Sequence, residues 1–155
     1  MKKLLYLLLL LPLGFIATSC SDDDDFPSVG ISVQIADAVD ANGRIYIVSG
    51  QPLTVNGITV ESLNGKASGI SGVNYSLDHM GLGYTMVQPF GASINAAYLP
   101  VGNHLLTMAF DVLQVDKSIA YAQISTIVTV VEAEEDLPDG ATPGEVTLKY
   151  NFNPQ

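Results

Sequence analysis

The chain's 155 residues suffice for one domain, and its 6 Lys and Arg against 16 Asp and Glu set a formal net charge of −10. Beyond Cys20 the balance is four bases against sixteen acids, which excludes nucleic acid as a partner, because a phosphate backbone is held by clustered Lys and Arg. At 48% hydrophobic and 14% charged the chain is too apolar for disorder, and one cysteine, no Trp and two His exclude an internal disulfide and a cysteine metal cage and leave few groups for chemistry near neutral pH. In chain order, Met1-Lys2-Lys3 opens an apolar run from Leu4 to Ala17 interrupted by Pro12 and Gly14. A membrane-spanning helix needs about 20 apolar residues. This run is shorter and contains a helix breaker, as in the core of a secretory signal.

Ala17-Thr18-Ser19-Cys20 resembles the lipobox of bacterial lipoproteins, with Ala17 where Leu is more usual. The resemblance implies a signal peptide over residues 1–19, cleaved so that Cys20 becomes the acylated N-terminus. Ser21-Asp22-Asp23-Asp24-Asp25 follows, a self-repelling tether that spans at most about 23 Å up to Pro27. A serine followed by consecutive acids also resembles the export signal of Bacteroidetes lipoproteins. It implies a lipid-anchored protein on the outer membrane, facing the cell exterior. The tether region is 20–27, and the folded domain is 28–155.

From Val29 the apolar period is two: Val29, Ile31, Val33 and Ile35 alternate with Gly30, Ser32, Gln34 and Ala36. Arg44–Val48 is a short β-branched run. Leu53–Ser62 is the next strand, with a turn or bulge at Asn56-Gly57. Residues 65–72 read as a Gly/Ser loop. Val73, Tyr75 and Leu77 alternate with polar neighbours, and Gly81-Leu82-Gly83 is predicted to turn the chain into Tyr84–Gln88. Leu105–Leu113 and Ile119–Val131 are apolar on both faces in places, as in central strands. Residues 132–144 form an acidic loop, and Val146, Leu148, Tyr150 and Phe152 mark a last strand. No window predicts an amphipathic helix. Seven to nine strands with turn signals between them predict an all-β antiparallel sandwich.

Tyr75-Ser76-Leu77-Asp78, then Pro89-Phe90, then Leu99-Pro100-Val101-Gly102-Asn103-His104-Leu105, resemble the immunoglobulin-like domains of bacterial surface lipoproteins. The likeness covers about a third of the chain and implies a fold, an immunoglobulin-like sandwich without the Cys pair and Trp of antibody domains.

Chemistry-bearing residues are sparse. His104 begins a strand after a Gly turn, where an imidazole bonds local backbone, and His79 lies in an exposed turn. Gly69-Ile70-Ser71-Gly72 is one residue short of a nucleophile elbow, and Gly65-Lys66 lacks the rest of a phosphate loop. Asp37, Asp40 and Asn42-Gly43 offer oxygen ligands for calcium, but the EF-hand spacing fails at Arg44 and Gln51 and a turn is the default. Glu132, Glu134, Glu135, Asp136 and Asp139 form a Pro/Gly-bounded loop, read as solvated, with a loose divalent-cation site second. No catalytic residue, metal or cofactor is assigned.

Stacking on sugar rings falls to tyrosines and phenylalanine in the absence of Trp: Tyr46, Tyr84, Phe90, Tyr98 and Tyr121. Most alternate like core residues. Tyr84 and Tyr98, near turns, are the candidate ligand-binding pair. The expected function is a non-catalytic surface lipoprotein, an immunoglobulin-like binding or adhesion module whose partner is the membrane through Cys20 and a surface glycan or protein. A pilus-related subunit donating Glu145–Phe152 to a neighbour's sheet is the alternative, and a hydrolase is ranked last.

Overall fold

A computed structural model describes residues 26–153 apart from 139. The signal sequence, Cys20 and the export signal Ser21, Asp22, Asp23, Asp24 and Asp25 lie outside the described residues, as does Asp139 of the acidic loop. Ten strands form, β1 Val29–Ala41, β2 Arg44–Val48, β3 Leu53–Ser62, β4 Ser68–Ile70, β5 Val73–Leu77, β6 Met80–Thr85, β7 Ala92–Ile94, β8 Gly102–Gln114, β9 Ala120–Val131 and β10 Gly144–Phe152. Two 3-10 turns, Ala96–Tyr98 and Glu134–Asp136, are the only helical elements among the described residues.

The strands make two sheets that share β1. Its first half lies between β10 and β3, with β7 beyond β3. At Asp37 (φ 49°) the register slips, and Val39–Ala41 cross to the second sheet, pairing with β2. The Asn42-Gly43 turn between them has φ of 54° and 71°, as a two-residue hairpin requires. In the second sheet β6, β5, β8 and β9 follow in antiparallel order, β2 closes it parallel to β9, and β4 pairs with the end of β8. With β1, β3 and β7 facing β5, β8 and β9, this is the immunoglobulin-like sandwich.

Alternation explains the core. The odd-numbered face of β1 (Val29, Ile31, Val33, Ile35) meets Leu77, Leu106, Met108, Val112 and Val128 of the second sheet in one apolar cluster. Gln114, the single buried side-chain amide among the described residues, is fully used. Its Oε1 accepts from Ser28 N (3.3 Å) and Asn64 Nδ2 (3.0 Å), and its Nε2 donates to Ser68 Oγ (2.8 Å) and Ser28 O (3.3 Å). A satisfied buried amide of this kind fixes where β1 and β4 enter the fold.

Four expectations are corrected and one, the bulge, is met. The turn before Tyr84 is not Gly81-Leu82-Gly83. The chain turns once, at the Asp78-His79 turn read around His79, both residues at positive φ with Leu77 opposite Met80, and the glycines lie within β6. The Gly/Ser loop 65–72 contains β4, held by three register pairs to β8. A short β7 follows Phe90, so ten strands form where seven to nine were predicted; elements of three residues carry too little pattern to be read. The bulge at Asn56-Gly57 is present, since Gln34 pairs with Gly57 and Ile35 with Val55, leaving Asn56 unpaired. Finally, β10 is seated in its own molecule, antiparallel to β1 from Phe152–Val29 to Val146–Ile35, so the strand considered for donation is occupied at home.

Candidate functional site

The sandwich is open where the second sheet ends at β6 and the first ends at β7. There a cleft of about 290 Å³ is lined by Leu82 to Thr85 on one side and Ala92 to Asn95 with Tyr98 on the other. Its floor is Tyr75, a β5 residue 2% exposed whose hydroxyl donates to Phe90 O at 2.5 Å. Burial pushes that phenol up to about 12, so it stays a neutral donor. Tyr98 is presented by the 3-10 turn Ala96–Tyr98, whose start is capped by Asn95 Oδ1 accepting from Ala97 N at 2.8 Å. Leu99 behind it is buried and anchors the turn.

Both tyrosines singled out from sequence border this cleft. They are not equivalent. Tyr98, 54% exposed, stands on one wall. Tyr84 is mid-strand and opposite Asn74, so its ring rises on the outer face of the second sheet and the residue forms the rim. A methyl group on Gly72 would lie 2.6 Å from the Tyr84 hydroxyl, which is why only glycine leaves room for the ring. Of the other aromatic candidates, Phe90 is 6% exposed and belongs to the core, whereas Tyr121 is 64% exposed on β9.

The cleft's lining holds no carboxylate, amine or imidazole. Its polar groups are Thr85, Ser93 and Asn95 around apolar Leu82, Ala92 and Ile94. Such a surface can stack and hydrogen-bond a neutral polar ligand. It offers no group suited to proton transfer near neutral pH.

His104, the best catalytic candidate by residue type, is committed to structure. Its Nδ1–H donates to Asp78 Oδ2 at 2.7 Å and its Nε2–H to Pro100 O at 2.8 Å, while Asp78 Oδ1 accepts from Leu105 N at 2.8 Å. Two acceptors facing both nitrogens favour the imidazolium. Burial, the largest single influence, pulls its pKa down, but the bonds to Asp78 and Pro100 together outweigh it and the value is raised above 6.5. The His104 hydrogen bond, then that from Leu105, lowers Asp78 below 3.8. The His104 contribution is therefore complete below 6.5 and fades as pH rises through the raised value. The Asp78 contribution is present above 3.8 and fades as pH falls through the lowered one. Melting temperature measured against pH is expected to show a loss above the raised imidazole value that is smaller in His104→Gln; parallel profiles for the two proteins would contradict the pairing.

The remaining acidic candidates separate. Asp37 sits at the β1 bulge and shares a groove with Glu134, whereas Asp40 lies on the hairpin and lines a different groove with Lys149. Glu132 and Glu134 do not share a strand face, because β9 stops at Val131 and Glu134 begins a 3-10 turn. Among the described residues no three His, Cys, Asp or Glu converge on a common point.

No protein-family model and no curated protein matches the chain. Among solved structures it is similar to the fibronectin(III)-like modules of Clostridium thermocellum CbhA. The likeness is 18% identity over 63% of this chain and 96% of that one, with a TM-score of 0.41. The fold assignment rests on the strand order above.

Proposed function

We propose that the chain is a lipid-tethered, outward-facing β-sandwich that binds a neutral surface glycan, without catalysis, in the cleft between β6 and the Ala96–Tyr98 turn. One observation carries the reading: in a chain of net charge −10, this cleft is bordered by two exposed tyrosines and lined by hydroxyl, amide and apolar groups alone. A pyranose presents the complementary surface, an apolar ring face edged by hydroxyls. An anionic glycan meets the repulsion of the acidic domain, and a cationic one finds no carboxylate in the cleft. The resemblance of Ala17–Cys20 to a lipobox and the acidic tether support the location, and the immunoglobulin-like frame supplies rigid strand ends on which to hold the groups.

Tyr98→Ala is expected to weaken binding about tenfold, the loss of one aromatic stacking contact. The measurement is retardation in native gels cast with neutral soluble polysaccharides, backed by calorimetric titration of the polysaccharide that retards most. Equal retardation of the wild type and Tyr98→Ala, or no retardation by any neutral polysaccharide, would overturn the reading.

A further inference from the structure

The rim residue Tyr84 joins the cleft to a second surface of unusual composition. Strands β5, β6, β8 and β9 together contain one carboxylate, Asp111, and no Lys or Arg, although the chain as a whole carries 16 acids. Their inward side chains are core, so their outward ones form a nearly uncharged sheet face. Across it the register places one cross-strand row: Tyr84 opposite Asn74, Asn74 opposite Ala109, Ala109 opposite Gln123. Tyr121 stands two residues before Gln123 on the same face, opposite Asp111.

Neighbouring strands lie about 4.8 Å apart, so the row from Tyr84 to Gln123 is roughly 14 Å long. One end is the exposed aromatic Tyr84 (57%), and beside the other end, Gln123, stands the exposed Tyr121 (64%). Its middle is the small side chain of Ala109, which leaves a shallow floor between two amides. The polar pairs farther along β8 and β9 bond each other, Thr107 to Ser125 at 3.1 Å and Thr129 to Asn103 at 2.9 Å. Asn74 and Gln123, by contrast, have no side-chain partner among the described residues and offer their donors and acceptors to solvent. The face is neutral, its free amides and separated tyrosines lying beside the part-exposed Leu113 and Ile127, and it matches a chain of uncharged, hydroxyl-rich units with apolar ring faces.

We infer that this row is a second, contiguous part of the binding site, along which a linear neutral polysaccharide leaves the cleft at Tyr84 and crosses the sheet to Tyr121. The strand spacing is close to the length of one pyranose unit, so successive units lie over successive strands. The inference rests on the reading of the cleft and adds to it that the ligand is an extended chain and not a terminal sugar.

The test is calorimetric titration of the full chain with an oligosaccharide ladder, from the disaccharide upward, prepared from the neutral polysaccharide that retards it. Affinity is expected to rise with length beyond what fills the cleft. Tyr121→Ala and Ala109→Lys are each expected to remove about tenfold from the longest oligomer and nothing from the shortest, with Tyr121→Phe retaining the gain. Both positions face outward, and unchanged thermal melting checks that each variant is folded. Affinity independent of length, or a length gain that survives both variants, would overturn the track while loss of short-oligomer binding in Tyr98→Ala still upheld the cleft. A dimer that Ala109→Lys dissociates, with oligosaccharide affinity unmoved, would assign the face to a second copy of the chain instead. Failure of every ladder to bind would remove cleft and track together.

Discussion

Replacing Leu106 with alanine is expected to lower stability by about 2–5 kcal/mol, the range for emptying a fully buried leucine site. Leu106 is 0% exposed on β8, between Leu77 of β5 and Thr126 of β9, and faces the β1 stripe across the sandwich. Strands pinned on both sides cannot collapse into the space, so most of the cavity persists. Domains of this size hold about 5–15 kcal/mol in total, so the loss is a large fraction of it. Ile119→Ala removes a comparable side chain from a site 67% exposed and is expected to stay within about 0.5 kcal/mol. Urea unfolding of both variants checks the contrast. Equal midpoints would mean that β8 is not the centre of the second sheet.

Replacing Cys20 with alanine, behind a leader that an ordinary signal peptidase removes, is expected to abolish acylation and move the protein from the detergent phase to the aqueous phase on cloud-point partition. The effect is all-or-none because anchoring scales at about 0.8 kcal/mol per buried CH2, and several acyl chains on one cysteine hold far more firmly than the acidic tether or domain. The chain has no second cysteine to take over. Among the described residues no helix is long and apolar enough to cross a membrane. Fatty-acid labelling of Cys20→Ala and wild type gives the same answer chemically. Label retained in the variant would place the lipid elsewhere and remove the ground for a surface location.

What could be read from the residues alone follows from where local pattern and tertiary demand agree. The period of two in Val29–Ile35 and Val146–Phe152 is set by having one buried face, and those strands form where predicted, paired to one another. Asn42-Gly43 turns and Asn56-Gly57 bulges because their backbone preferences match what the sheet needs there. The turn at Asp78-His79 was legible, but not that its two non-glycine residues take positive φ, a conformation held by contacts that are distant in sequence, from Asp78 to His104 and Leu105. The tempting glycines three residues on lie in the strand instead. Tyr84 and Tyr98 were visible as aromatics near turns. That they border one cleft was not, since the cleft exists only because one sheet stops at β6 and the other at β7. Ser93 and Asn95 carry no signal of their own, and Tyr121 looks like core until the pairing of β8 with β9 turns it outward.

Amide chemical-shift mapping of the isotope-labelled protein, titrated with the neutral oligosaccharide that retards it, tests the account most directly. Shifts are expected to cluster in Leu82–Thr85 and Ala92–Tyr98, extending with longer oligomers to Asn74, Ala109 and Tyr121. Shifts confined to the outer face of β1, β3 and β10, or no shifts at saturating sugar, would contradict it.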